Sequence, residues 1–208
     1  MPSLSPSKIV CVGRNYVKHA AELGHDVPTE PLIFLKPPSA LLDTGQPVVL
    51  PRGAGRVDFE GEIGVVIGER ARKVPEGDAW SYVRALVPLN DVTARDLQKK
   101  DGQWTRAKGF DTFCPVGTPV ALADVPLDSL GLTTRVNGQV RQDAPASEMV
   151  FPIPFLVAHI SRIMTLEPGD LIATGTPEGV GPLAAGDEVE IEVKGVGSVK
   201  NPVREEEA

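Results

Sequence analysis

The sequence predicts a mainly β protein with short helices, an α+β chain closer to a sandwich or roll than to a doubly wound sheet. Two observations carry this. Beyond Gly109 the segments 115–122, 132–143 and 187–203 alternate apolar and polar residues, the period of a strand with one buried face. Glycine (21) and proline (20) are both abundant and spread over all 208 residues, as expected for many turns between short strands.

In order, residues 8–13 ("KIVCVG") form a compact apolar strand, and residues 15–23 ("NYVKHAAEL") have helical composition up to Gly24. A proline-bounded strand over 31–42 and a short one over 46–51 follow. Residues 58–68 ("DFEGEIGVVIG") enter a buried strand, and residues 80–90 read as helix, then strand. Thr93, with Asp96 three residues on, is the expected N-cap of a helix over 93–99. "VNGQV" marks a hairpin, because Asn-Gly suits a tight type I′ turn. Residues 154–166 ("PFLVAHISRIMTL") are the best amphipathic helix, with proline at its start. Residues 168–182 run from a strand into a glycine-rich loop.

Composition narrows the function classes. The net charge is −7 with dispersed lysines and arginines, so the basic stripe of a nucleic-acid surface is missing. The apolar runs are interrupted by prolines and too short to cross a membrane. The first residues lack a basic segment followed by an apolar one. With only Cys11 and Cys114, free buried thiols in a reducing cytoplasm are the expectation. The loop "ATGTPEGVG" lacks the Gly-Lys-Ser/Thr ending of a phosphate loop, and there is no HExxH, C-x-x-C or G-x-S-x-G.

The carboxylates of "DFEGEIGVVIG" stand out. In an extended strand Asp58, Glu60 and Glu62 share one face, roughly 6–7 Å apart at i, i+2. A solvated edge tolerates that repulsion, whereas a strand beside the core needs a counter-charge. Since residues 63–67 are apolar, a hard divalent cation with oxygen ligands becomes the alternative to a solvated face. Asp91, after the apolar run 85–89, is either a third ligand or part of a helix-capping turn; spacing does not decide. Arg95 and Gln98 share a helix face at i, i+3, and Lys108 is either a solvated lysine or, together with Arg95, a holder of a substrate carboxylate. His19 and Glu22, also at i, i+3, are either an oriented general base or a surface pair. His159, in the most apolar helix, is expected in the core.

Taken together, "VCVGRNYVKHAAELG", "PLIFLKPPSAL", "DFEGEIGVVIG", "NDVTARDLQ", "AKGFDTFCPVG", "VNGQVRQD" and "LIATGTPEGVGPL" resemble the fumarylacetoacetate hydrolase family, above all its short acylpyruvate hydrolase and oxaloacetate decarboxylase branch. The resemblance spans about residues 8–200. It implies a mixed β-sandwich roll of the fumarylacetoacetate hydrolase C-terminal-domain type, one catalytic domain over 1–208, a homodimer, one Mg²⁺ or Mn²⁺ per subunit and substrates carrying a 2-oxo acid. It further implies Glu60, Glu62 and Asp91 as metal ligands, and His19 and Glu22 as a catalytic dyad on a lid that orders with substrate. Arg95, Gln98 and Lys108 would contact the substrate's carboxylate and oxo oxygens, Lys108 as a catalytic residue, and Thr176 would line the same pocket. Asp58-Phe59 departs from the His-His frequent in relatives, and Asp58 is expected beside the ligands or at the surface rather than as a fourth ligand. Gly61 replaces larger residues and is expected to affect packing behind the strand.

The implied reaction is metal-dependent hydrolysis of a C–C bond in 3-acylpyruvates, giving pyruvate and a carboxylic acid, with decarboxylation of oxaloacetate reaching the same pyruvate enolate. Two enzyme rivals lie within the family, an isomerase or decarboxylase of 2-hydroxyhepta-2,4-diene-1,7-dioate-type diacids and a keto–enol tautomerase. A non-catalytic metal-stabilised binding protein is the rival of another class.

Overall fold

Alternation in the sequence becomes one-sided burial in the structure. In the computed structural model, which describes residues 4–18 and 28–207, strands Gly131–Val136 and Glu188–Val193 bury every second residue. The chain is mainly β with short helices, and among the described residues its strands form three sheets.

The largest sheet holds eight strands: β1 (Ile9–Gly13), β2 (Leu32–Lys36), β3 (Leu41–Asp43), β6 (Gly61–Ile67), β7 (Val83–Asn90), β9 (Cys114–Val116), β10 (Val120–Ala121) and β13 (Leu171–Ala173). Their order is β2-β1-β13-β6-β7-β9-β3, with β10 also on β7, and the β1–β13 and β3–β9 pairs are parallel. A five-stranded sheet runs β12-β11-β15-β16-β4, from β4 (Val48–Leu50), β11 (Gly131–Val136), β12 (Gln139–Pro145), β15 (Glu188–Val193) and β16 (Gly197–Glu205). The third sheet, β14-β5-β8, is small: β5 (Val57–Phe59), β8 (Thr93–Ala94) and β14 (Gly181–Pro182). The helices are α1 (Arg95–Asp101), α2 (Thr105–Lys108) and α3 (Ile153–Ile163).

β6 is buried along its whole length, which explains why its sequence is a continuous apolar run rather than an alternating one. Ile63, Val65 and Ile67 face a core shared with α3, whose Ile153, Leu156, Val157 and Ile160 lie at helical spacing. Val66 points the other way, into a second core with Cys11, Leu89 and Cys114. The hairpin β11–β12 turns at Asn137-Gly138, both at positive φ (52° and 76°), as a type I′ turn requires.

The positioning feature is a seam. The paired strands β6 and β7 belong to the large sheet, and the paired strands β5 and β8 to the small one. Chain passes between the two sheets at Glu60 on one side and at Asp91-Val92 on the other. There the ladder is replaced by Asp91 N–H donating to Glu60 O at 2.8 Å and Glu60 N–H donating to Asn90 Oδ1 at 2.9 Å.

Several expectations change. The segment 31–42 is two strands parted by a 3₁₀ turn, Pro38–Ala40. Residues 80–90 do run from helix into strand, the helix being a 3₁₀ helix, Glu76–Tyr82. Thr93 caps nothing: it belongs to β8, its hydroxyl donates to Asp91 O at 2.8 Å, and Ala94 takes the cap position without a side-chain bond. His159 is half-buried and stacks on Phe155 with ring centroids 6.0 Å apart, at the edge of the core rather than within it. Only Val17 and Lys18 of the helix expected over 15–23 fall within the described residues with helical conformation. No described helix is long and apolar enough to cross a membrane.

Candidate functional site

Because Glu60 and Asp91 sit where backbone ladders are interrupted, their side chains turn toward the same point as Glu62, the second residue of β6. The three carboxylates each place an oxygen within 4.8 Å of the others, and all are at most 5% exposed. Glu62 is oriented from behind by Gly175, whose N–H donates to Oε2 at 2.8 Å. Gly175 has φ +99°, and a Cβ there would lie 2.6 Å from Asn15 Cβ, so glycine alone fits this contact.

Cations surround the cluster. Lys108 Nζ, from the end of α2, lies 2.7 Å from Glu60 Oε2 and 2.6 Å from Asp91 Oδ2. Burial works to lower the Lys108 pKa, but the Asp91 and Glu60 carboxylates outweigh it and hold the ammonium above its ordinary value. Lys36 ends β2 with its Nζ 2.6 Å from Asp91 Oδ1 and 3.2 Å from Val92 O. Arg95, the first residue of α1, donates Nε–H to Asp58 Oδ2 at 2.8 Å and Nη1–H to Gln98 Oε1 at 3.0 Å, and its Nη2 pairs with Glu60 Oε1 at 2.6 Å. Asp58 is therefore not solvated: at 1% exposure it is clamped between Arg56 and Arg95 and holds the guanidinium that meets Glu60.

Glu62 differs from its two neighbours, since among the described residues it makes no ion pair. Its carboxyl is pushed well above the usual range, first by burial and then by the Asp91 and Glu60 charges. Three buried carboxylates with an oxygen-only donor set, one lacking a counter-charge, fit a hard divalent cation.

The cluster forms the floor of a cleft of about 770 Å³, within the range of small-molecule sites. Arg95, Gln98, Lys108 and Thr176 all line it, so the structure brings these sequence candidates together with Glu60, Glu62 and Asp91. The Thr176 hydroxyl donates to Gly61 O at 2.8 Å and accepts from Gln142 Nε2 at 2.8 Å. Gln142 Oε1 in turn accepts Gly61 N–H at 3.0 Å, tying the five-stranded sheet to the site. His19 and Glu22 lie outside the described residues.

Sequence reasoning missed Lys36, Gln142 and the aromatic wall of Phe34 and Trp104. Cys11 and Cys114 are free and buried as expected; burial, opposed by nearby Lys36, pushes the Cys114 thiol up to about 12.

A family model described as fumarylacetoacetate (FAA) hydrolase C-terminal matches residues 8–204. The chain belongs to the fumarylacetoacetate hydrolase family. Within that family it is 43% identical to the mitochondrial oxaloacetate tautomerase FAHD1 of Mus musculus, over 96% of this chain and 92% of that protein. Among solved structures it is similar to 2-hydroxyhepta-2,4-diene-1,7-dioate isomerase from Mycobacterium marinum, with TM-score 0.91, 46% identity, and coverage of 100% of this chain and 78% of that one. It is likewise similar to fumarylpyruvate hydrolase from Pseudomonas aeruginosa in complex with Mn²⁺ and pyruvate, with TM-score 0.92, 30% identity and coverage of 98% and 91%. The chain thus shares its fold with an isomerase and a hydrolase and much of its sequence with a tautomerase, so these similarities alone do not select the reaction.

Proposed function

We propose that this chain is a divalent-metal-dependent hydrolase that cleaves 3-acylpyruvate-type 2-oxo acids to pyruvate and a carboxylic acid, with residues 1–208 acting as one catalytic domain. The supporting observation is the buried Glu60–Glu62–Asp91 cluster at the floor of a cleft that also presents Arg95, Gln98 and Lys108. Glu60, Glu62 and Asp91 would hold Mg²⁺ or Mn²⁺, which would supply Lewis-acid chemistry at the substrate's oxo oxygen.

This chain's own residues do the rest. Lys108, kept protonated by two carboxylates, donates to an oxygen on which negative charge grows. Arg95 and Gln98 fix the substrate carboxylate, and Thr176 closes the wall behind the reacting carbons. His19, oriented by Glu22, takes a proton from water, whose oxygen adds to the distal acyl carbonyl. The bond between that carbon and C3 then breaks. Its electron pair leaves with C3 as pyruvate enolate, a proton converts this to pyruvate, and the acyl carbon leaves as a carboxylate. The roles of His19 and Glu22 rest on the family resemblance, as does a homodimer; the free buried thiols suit a cytoplasmic setting.

The test is pyruvate release from acetylpyruvate and from oxaloacetate by chelator-stripped protein, with and without Mg²⁺ or Mn²⁺. Metal-dependent turnover of acetylpyruvate that disappears in Glu60→Ala is expected. A second reading, oxaloacetate tautomerase, is favoured by the 43% identity to FAHD1 and needs only enolisation. Interconversion of enol and keto oxaloacetate without pyruvate release would select it and reject the hydrolase.

A further inference from the structure

The glycine-rich loop after β13 takes over where a strand stops. β13 pairs with β6 as far as Ala173 opposite Gly64, and the next three residues then serve β6 one by one. The Thr174 hydroxyl donates to Ile63 O, Gly175 N–H to the Glu62 carboxylate and the Thr176 hydroxyl to Gly61 O, each at 2.8 Å. The loop is seated on β12, the edge strand of the five-stranded sheet. Arg141 is an extra residue there, a bulge between the pairs Arg135–Val140 and Thr134–Gln142. Gly179 lies so close to it that a Cβ would come within 2.1 Å of Arg141 O. A bulge beside a site can re-aim a side chain, and the one turned inward here is Gln142, 2% exposed between exposed Arg141 and Asp143.

Hydrogen-bond polarity along this contact is fixed. Gly61 N–H can only donate and Pro177 O can only accept, so the Gln142 amide has one orientation. Its Oε1 accepts from Gly61 at 3.0 Å, and its Nε2 donates to Pro177 O at 2.9 Å and to Thr176 Oγ1 at 2.8 Å. The Thr176 hydroxyl, accepting from Gln142, spends its own hydrogen on Gly61 O. A closed circuit results, running from Gly61 N–H through the Gln142 amide and the Thr176 hydroxyl back to Gly61 C=O. Bonds chained in this way polarise one another, and burial makes each costly to lose. The two groups gripped belong to the peptide units that join Gly61 to Glu60 and to Glu62. A side chain at 61 would crowd the circuit, since a Cβ there would lie 3.0 Å from Gln142 Oε1.

We infer that Gln142 is a positioning residue for the metal-binding strand. It does not line the cleft, yet from the neighbouring sheet it fixes the two peptide planes between Glu60 and Glu62, and so the spacing of their carboxylates. The inference rests on the reading of Glu60, Glu62 and Asp91 as ligands of a divalent cation. Residues that orient ligands from outside the coordination sphere change metal affinity about 10- to 100-fold when lost.

The test is calorimetric titration with Mn²⁺, accompanied by the paramagnetic resonance spectrum of the bound ion and a thermal melt of each metal-free variant. Gln142→Met, which keeps the side chain's length and removes its hydrogen bonds, is expected to bind Mn²⁺ at least about tenfold more weakly and to alter the spectrum. Thr176→Val opens the same circuit from the other side and is expected to do likewise, whereas Thr176→Ser keeps the hydroxyl and should retain wild-type affinity. The double variant Gln142→Met/Thr176→Val should bind little more weakly than the worse single one, because a circuit is broken only once. A lower melting temperature with wild-type affinity and spectrum in Gln142→Met, or losses that simply add in the double variant, overturns the inference and leaves the metal-site reading standing. Should Gln142→Met not fold, wild-type affinity in Thr176→Val overturns it instead. Absence of Mn²⁺ binding by the wild type overturns both.

Discussion

Lys36 and Asp91 are bound to each other inside the protein, with Nζ 2.6 Å from Oδ1 and both side chains at most 1% exposed. Removing one partner of such a pair costs about 3–5 kcal/mol where the other charge is left alone, whereas here Asp91 keeps Lys108, with Nζ 2.6 Å from Oδ2, as a counter-charge. Lys36→Met is therefore expected to destabilise the metal-free protein by less, about 1–3 kcal/mol for the lost charged hydrogen bond, in denaturant titrations. Saturating Mn²⁺ should recover part of the loss, because the cation becomes Asp91's counter-charge. Unchanged stability without metal would refute this account of the pair.

Glu62 lies on the other side of the balance. Its ionised form is disfavoured by burial and by two neighbouring anions, so the metal-free protein is held together in spite of it. Glu62→Gln should leave metal-free stability equal to or above wild type and weaken Mn²⁺ binding by at least about tenfold, or about 1.4 kcal/mol. Paramagnetic titration with Mn²⁺ and urea denaturation measure the two arms. Wild-type affinity in the variant would remove Glu62 from the ligand set.

Acid stability is set partly far from the cleft. Asp170 accepts from Ser7 N–H, Ser7 Oγ, Lys8 N–H and Glu167 N–H at 2.7–3.1 Å and pairs with the Lys8 ammonium. Burial acts to raise its pKa, yet these donors hold it below the usual value. A depressed carboxylate contributes stability above its unfolded pKa of about 3.9 and loses it as pH falls through the folded value. Asp170→Asn should thus melt lower than wild type at pH 7, and the gap should close from about pH 4 downward. A gap constant across that window would show that hydrogen-bond geometry rather than charge is responsible.

Gly61 predicts a coupling. A Cβ at this position would lie 2.1 Å from Thr134 Oγ1 and 3.0 Å from Gln142 Oε1, and the buried Thr134 hydroxyl has no hydrogen-bond partner among the described residues. Gly61→Ala should destabilise by about 1–3 kcal/mol through overpacking, and adding Thr134→Ala should restore part of that. Strictly additive effects in thermal melts would mean that the two positions do not compete for the same space.

These sites differ in how far the sequence reveals them. The strands of the five-stranded sheet are legible because one face is buried, and the Asn137-Gly138 hairpin because its turn demands positive φ. Glu60 and Glu62 stand out because they run into an apolar strand, and Asp91 because it ends another. Lys36 is invisible for the opposite reason: a lysine closing a strand before two prolines reads as solvated, and its partner is 55 residues away. Thr93 misled because local spacing suggests a cap, whereas the seam claims its hydroxyl.

The seam also has a mechanical meaning. Glu60 and Asp91 are the joints at which the β5–β8 ribbon hangs from the β6–β7 ribbon, and Glu62 belongs wholly to the larger sheet. A cation gripped by all three is a rivet through that joint. Its departure frees an articulation between the sheets, so amide exchange in β5 and β8 should report the rivet's presence even though none of their residues touches it.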